Sequence, residues 1–175
     1  MGHKEHKEKA KIKANCFVIT VSDSRTDETD TSGKLIVDEL TKAGHSVLSK
    51  IILPDEPQLI KNTVLEKTSQ NEIDAIILNG GTGISLRDST FEAIEGIFDK
   101  RLSGFGEIFR YLSYKDIGSA AIMSRATAGI KNGKVIISIP GSRGAVSLAL
   151  EKLIIPELSH ILWELRKHLP QNEIR

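Results

Sequence analysis

The run Asn15-Cys16-Phe17-Val18-Ile19-Thr20-Val21 is apolar and β-branched and ends abruptly at the polar cluster Ser22-Asp23-Ser24-Arg25, which predicts a buried strand. From about Thr31 the period changes. Leu35, Ile36, Val37 and Leu40 recur at helical spacing, with Asp30 or Thr31 as the N-cap and Gly44 as the stop. Val47 to Leu53 reads as a second strand stopped by Pro54, and Leu59, Ile60, Thr63 and Val64 return to helical period. Asp74 to Leu78 is a third, almost wholly apolar strand.

Beyond it, Phe91, Ile94, Ile97 and Phe98 mark one helix and Ile108, Phe109 and Leu112 another. Lys134 to Ile139 is the last strand. A helical region then runs from about Ala145 to His168, with Pro156 as a break or kink. Strands alternating with helices predict an α/β protein built from βαβ units, with a largely parallel sheet covered on both faces. There is no internal repeat and no linker, so residues 15–170 are expected to form a single domain behind a flexible N-terminal arm, residues 1–14.

Composition narrows the function. At 175 residues and 39% hydrophobic, the chain can bury a core. Its 24 basic and 23 acidic side chains give a formal charge of +1, so no global field marks a nucleic-acid or membrane binder, and an anionic ligand must be held locally. A single cysteine, Cys16, sits within the first strand and excludes an internal disulfide or thiolate metal site. His3 and His6 lie among five lysines of the arm and read as solvated rather than metal-binding. With no secretory signal and no apolar run long enough to span a bilayer, a cytoplasmic location is expected.

In open α/β sheets ligands bind at the carboxyl ends of the strands. Four loops fall at such ends: Ser22 to Arg25, Pro54-Asp55-Glu56, Asn79 to Asp88, and Pro140-Gly141-Ser142-Arg143-Gly144. Glycines let backbone N–H groups approach a phosphate, hydroxyls donate hydrogen bonds, and carboxylates hold Mg²⁺. The same residue types also punctuate ordinary turns. The coincidence of four such loops on one edge is what points to a phosphate-and-metal site. Gly80-Gly81-Thr82-Gly83 lacks the Lys-Ser or Lys-Thr of a P-loop and the spaced glycines of a dinucleotide fingerprint, which disfavours a common nucleotide hydrolase or dehydrogenase. Asp55 and Asp88 each precede a helix and can serve either as its cap or as a ligand.

Taken in order, Val21-Ser22-Asp23, Leu53-Pro54-Asp55, Asn79-Gly80-Gly81-Thr82-Gly83 with Arg87-Asp88-Ser89-Thr90, Gly104-Phe105-Gly106-Glu107, Ser124-Arg125 and Ile139-Pro140-Gly141-Ser142 resemble the MoaB/MogA family of molybdenum cofactor biosynthesis proteins. The match covers nearly everything after the arm. It departs from many relatives where Ile84 and Phe91 replace prolines of the glycine loop. The resemblance implies a three-layer α/β/α sandwich with a mixed sheet, a homotrimer or homohexamer, and Mg²⁺-dependent adenylylation of molybdopterin by ATP, releasing pyrophosphate. A molybdate-insertion protein would receive the product.

It also implies catalytic and Mg²⁺-holding roles for Asp55 and Asp88. Molybdopterin and nucleotide would be bound by Ser22, Asp23, Gly80, Gly81, Thr82, Gly83, Thr90, Ser124, Pro140, Gly141 and Ser142. Glu107 would contact the pterin or cap a helix; Arg125, like Arg143, would offset charge or lie on the surface. The alternative is a non-catalytic carrier that uses the same pocket to hold molybdopterin or its adenylate.

Overall fold

In the computed structural model, which describes residues 12–168, the alternating pattern resolves into six strands and six α-helices. In chain order these are β1 (Asn15–Val21), α1 (Thr31–Lys42), β2 (Ser46–Leu53), α2 (Pro57–Thr68), β3 (Ala75–Asn79), α3 (Thr90–Glu95), β4 (Lys100–Arg101), α4 (Ser103–Ile117), β5 (Thr127–Lys131), β6 (Lys134–Ile139), α5 (Arg143–Ala149) and α6 (Ile155–Arg166). The strands form one sheet in the order β2-β1-β3-β6-β5-β4. β2, β1, β3 and β6 are parallel, whereas β5 runs antiparallel to both β6 and β4, so the sheet is mixed.

Side-chain alternation along the strands divides the core into two layers. Cys16 and Val18 of β1, Ala75 and Ile77 of β3, and Val135 and Ile137 of β6 pack with Ile36 and Leu40 of α1, Phe109 of α4 and Val146, Leu158 and Leu162 of α5 and α6. Phe17, Ile19, Ile76, Leu78 and Ile136 face the other way, onto Ile60 and Val64 of α2 and Ile94 of α3. Both faces are covered, which is the three-layer α/β/α sandwich. Cys16 is fully buried, and burial pushes its thiol up to about 12, so it is a core residue and not a nucleophile.

Three features depart from the expected elements. β4 and β5 were not expected: β4 has two residues, and Thr-Ala-Gly-Ile-Lys of β5 is poor in strand-forming side chains. Gly129 in β5 is required because a Cβ there would stand 2.4 Å from the Phe98 ring. The local signal was the turn: Asn132 and Gly133 take φ of +50° and +71° between paired Lys131 and Lys134, a two-residue hairpin. Second, α3 ends at Glu95, with Gly96 as its C-cap, so Ile97 and Phe98 pack from outside the helix. Third, the break expected at Pro156 falls just ahead of it and takes the form of a π-helical turn. That turn, Leu150–Ile154, lets Pro156 stand in the first turn of α6, where its missing N–H is tolerated.

Ile12 and Ala14, at the end of the stretch expected as an arm, are buried, and the Ser159 hydroxyl donates to the Ile12 carbonyl at 2.8 Å. His3 and His6 lie outside the described residues. Among those described, no helix is long and apolar enough to cross a membrane. The buried His45 imidazole accepts the Ala14 N–H on Nδ1 at 3.1 Å, so the bond requires the neutral ring. Burial, with Lys13 nearby, holds its pKa below the ordinary value.

Stability from this group is therefore fully present above the ordinary histidine pKa, about 6.5, and is lost as pH falls through the lower folded value. The urea midpoint is expected to fall between about pH 7 and about pH 5, and His45→Asn, whose Oδ1 can replace Nδ1 as acceptor, should flatten that slope.

Candidate active site

The C-terminal ends of β1, β3 and β6 lie side by side, so the loops that follow share one rim. Gly80 fits between its neighbours only because it lacks a side chain: φ is +100°, its N–H donates to the Ile139 carbonyl at 3.1 Å, and a Cβ would stand 2.2 Å from the Val21 carbonyl oxygen. Gly141 presses on it from the other side, its own notional Cβ 3.0 Å from the Gly80 Cα. Above this backbone junction opens a cavity of about 320 Å³. Thr20 and Asn79 are at its strand-end floor; Ser22, Gly80 to Gly83, Asp88, Ser124, Pro140 and Gly141 line it with Arg25 and Met123.

A buried carboxylate underlies the floor. Asp30 is fully buried and caps α1 by accepting the Gly33 N–H at 2.8 Å. It also accepts the Thr20 hydroxyl at 2.7 Å and the Lys50 ammonium at 3.0 Å, and Arg25 reaches it at 3.4 Å. Burial pushes its pKa up, but the hydrogen bonds from Gly33, Thr20 and Lys50 outweigh burial and hold it below the usual carboxylate range. Because Thr20 gives its proton to Asp30, its oxygen accepts from Asn79 Nδ2, at 2.9 Å. Arg25 continues the network to the Gly141 carbonyl at 3.1 Å, as does the Ser32 hydroxyl at 2.9 Å. Thr20, Arg25 and Asn79 were not singled out as site residues. Asn79, an amide closing an otherwise apolar strand, was the available signal.

Neither candidate carboxylate caps its helix. Asp55 is 8% exposed. Its Oδ1 accepts the Ser89 N–H at 3.2 Å and the Ser89 hydroxyl at 2.7 Å, and its own N–H donates to Asp23 Oδ1 at 3.0 Å. Its Oδ2 is turned toward Gly81, where a Cβ would stand 2.5 Å away. Burial raises its pKa, opposed by the Ser89 bonds and reinforced by the charges of Asp88 and Asp23. Asp88 accepts the Ser85 N–H at 3.0 Å. Hydrogen bonding from Ser85, and the Gly83 N–H and Arg125 beyond it, keeps Asp88 below the usual range against a smaller cost of burial. The two carboxylates thus flank the glycine loop, Asp88 on the cavity and Asp55 behind Gly81.

Asp23 does not line the cavity. It bonds Arg87 at 2.8 Å, and Arg87 also reaches Glu56 at 3.5 Å, tying three loops together around Asp55. Thr90 is buried under Gly81, donating its N–H to the Gly81 carbonyl at 2.9 Å, with its hydroxyl unpartnered. Arg125 is neither free charge nor surface: Nε donates to the Thr82 carbonyl at 3.0 Å, its terminal nitrogens bond the Gly83 carbonyl and Glu92, and its guanidinium lies 5.0 Å from the Phe91 ring centroid. It holds the glycine loop from outside.

Ser142 caps α5 through the Ala145 N–H and lines an adjoining cavity of about 250 Å³ whose wall shares Ser124 and Pro140. Arg143 is exposed at the start of α5. Glu107 is not brought to the site. It lines a separate cavity of about 340 Å³ with Phe91, Glu95, Arg101 and Arg110.

Residues 17–160 match the family model described as "Probable molybdopterin binding domain". The chain is 55% identical over 168 residues to the molybdenum cofactor biosynthesis protein B of Bacillus subtilis (strain 168), covering 95% of this chain and 99% of that protein. A crystal structure of a molybdenum cofactor biosynthesis protein B superposes with a TM-score of 0.87 at 48% identity, over 89% of this chain and 98% of the other. The tungsten cofactor synthesizing protein MoaB from Pyrococcus furiosus gives 0.79 at 40% identity, over 88% and 98%.

If the glycine junction forms the site, Gly80→Ala must push against the Val21 carbonyl and adopt a disfavoured φ. A loss of about 2–4 kcal/mol in unfolding free energy is expected, with Gly44→Ala, which has positive φ but open space around it, costing less in the same denaturant titration.

Proposed function

The chain belongs to the molybdopterin-binding family of molybdenum cofactor biosynthesis proteins, and from that membership we propose that it adenylylates molybdopterin. The terminal phosphate oxygen of molybdopterin attacks the α-phosphorus of ATP, a P–O–P bond forms, and pyrophosphate leaves. The observation that carries this reading is the pairing of an anion cradle with two carboxylates. The N–H groups of Gly81 and Thr82 have no partner among the described residues, while Asp55 and Asp88 stand on either side of the loop that presents them. A cradle alone suits a carrier. Carboxylates beside phosphates repel them unless a cation intervenes.

The residues present fit Mg²⁺. Asp55 keeps Oδ2 unbonded by any donor, Asp88 faces the cavity, and the two would hold the ion together with phosphate oxygens, as Mg²⁺ prefers. The ion would supply charge neutralisation at the transferring phosphorus. The chain's own residues do the rest. Gly81 and Thr82 receive phosphate oxygens on their backbone N–H groups, Ser22 and Ser124 donate hydroxyl hydrogen bonds from the cavity lining, and Arg125 fixes the loop so that the reacting groups stay in line. The adjoining cavity beyond Ser124 and Pro140 gives a second compartment for the other substrate.

A homo-oligomer, trimer or hexamer, is supported by the exposed apolar side chains Tyr111, Tyr114, Ile117 and Ile122 along α4 and the 3₁₀ turn after it. A downstream molybdate-insertion protein would take the adenylate, and the reaction belongs in the cytoplasm, where its ATP is made.

The test is pyrophosphate release with Mg²⁺, ATP and freshly isolated molybdopterin. Wild type is expected to release pyrophosphate only when molybdopterin is present. Asp55→Asn and Asp88→Asn should lower the rate by at least about 100-fold while molybdopterin binding persists. Binding without release by the wild type would instead identify a carrier.

A further inference from the structure

We propose that Arg25 supplies the fixed positive charge that receives an anionic group of the ligand in the main cavity, and that it latches the loop after β1 to the turn after β6 while doing so. The inference rests on the adenylylation reading in taking that anion to be a phosphate of ATP or molybdopterin.

The electrostatics of the rim require such a charge. Asp88 lines the cavity, and Asp55 and Asp23 stand close behind it. Among the residues lining the cavity Arg25 is the one cation. The neighbouring arginines are spent elsewhere: Arg125 uses Nε and both terminal nitrogens on Thr82, Gly83 and Glu92, and Arg87 bridges Asp23 and Glu56. Lys50 is held below the floor by Asp27 and Asp30 at 2.9 and 3.0 Å.

Arg25 is engaged differently. Its Nη1 reaches Asp30 at 3.4 Å and its Nη2 the Gly141 carbonyl at 3.1 Å. A guanidinium carries five N–H donors, so these two bonds fix its plane and leave others for a ligand. Its side chain is 30% exposed. Asp30 does not cancel the charge, because its single negative charge is shared with Lys50, the closer partner. The result is an oriented cation whose ordering cost was met in folding, the arrangement that favours anion binding. The contact with the Gly141 carbonyl ties the loop after β1 to the turn after β6.

Isothermal titration with inorganic pyrophosphate and Mg²⁺ tests this in wild type, Arg25→Gln and Arg25→Lys. The dissociation constant is expected to rise about tenfold or more in Arg25→Gln, Arg25→Lys should recover part of the loss, and the salt dependence of binding should be shallower in Arg25→Gln than in wild type. If Arg25→Gln fails to fold, Arg25→Lys carries the test through its weaker binding at an unchanged charge, since a lysine cannot make the two-point latch. Unchanged affinity in a folded Arg25→Gln, unchanged affinity in Arg25→Lys when Arg25→Gln cannot be studied, or no pyrophosphate binding by wild type would overturn the proposal. Weakened pyrophosphate binding in Arg25→Gln, beside a wild type that releases no pyrophosphate from ATP with molybdopterin, would leave the anion site standing and remove the adenylylation reading.

Discussion

The close approach of Gly80 to the Val21 carbonyl on one side and Gly141 on the other is the constraint on which the rest of the site depends. A parallel sheet aligns strand ends but does not bring the loops beyond them into contact. Here three segments of the chain meet backbone to backbone, and a single methyl group at Gly80 would separate them. The cavity, the N–H groups of Gly81 and Thr82 left unpartnered among the described residues, and the placing of Asp55 behind the loop all follow from that junction. Arg125 then holds the loop by its carbonyls, the groups that the cradle itself does not use.

Two carboxylates near this junction are buried to opposite effect. Asp30 is surrounded by donors and stays ionised, so it serves as a fixed support that orders Thr20, Lys50 and Arg25. Asp55 has fewer donors and two acidic neighbours, and its pKa rises. A cation at Asp55 would relieve that repulsion, which supports the proposed role for this carboxylate rather than for the better satisfied Asp30. The same burial that makes Asp30 structural makes Asp55 responsive to what binds.

Much of this was legible in the chain. Strand runs such as Phe17 to Val21 and Ala75 to Leu78 are largely apolar because both faces are covered, and the loops at their ends carry the residues that line the cavity. What escaped was decided by tertiary contact. β5 is a strand because Gly129 admits the Phe98 ring and β6 offers an edge, not because Thr-Ala-Gly-Ile-Lys favours extension. Arg25 and Asn79 owe their place to a hydrogen-bond network reaching Asp30, which the pattern around Asp30 announced only as a helix cap. Glu107 lies in a motif near the others in sequence, yet α4 carries it to a different cavity.

The glycine junction is proposed to form a phosphate cradle flanked by Asp55 and Asp88. A crystal structure of the protein with ATP, Mg²⁺ and molybdopterin tests it most directly. Phosphate oxygens are expected within hydrogen-bond distance of the Gly81 and Thr82 N–H groups, with the ion between those phosphates and the two carboxylates. Phosphates bound in another cavity, with Gly80 to Gly83 uncontacted, would contradict it.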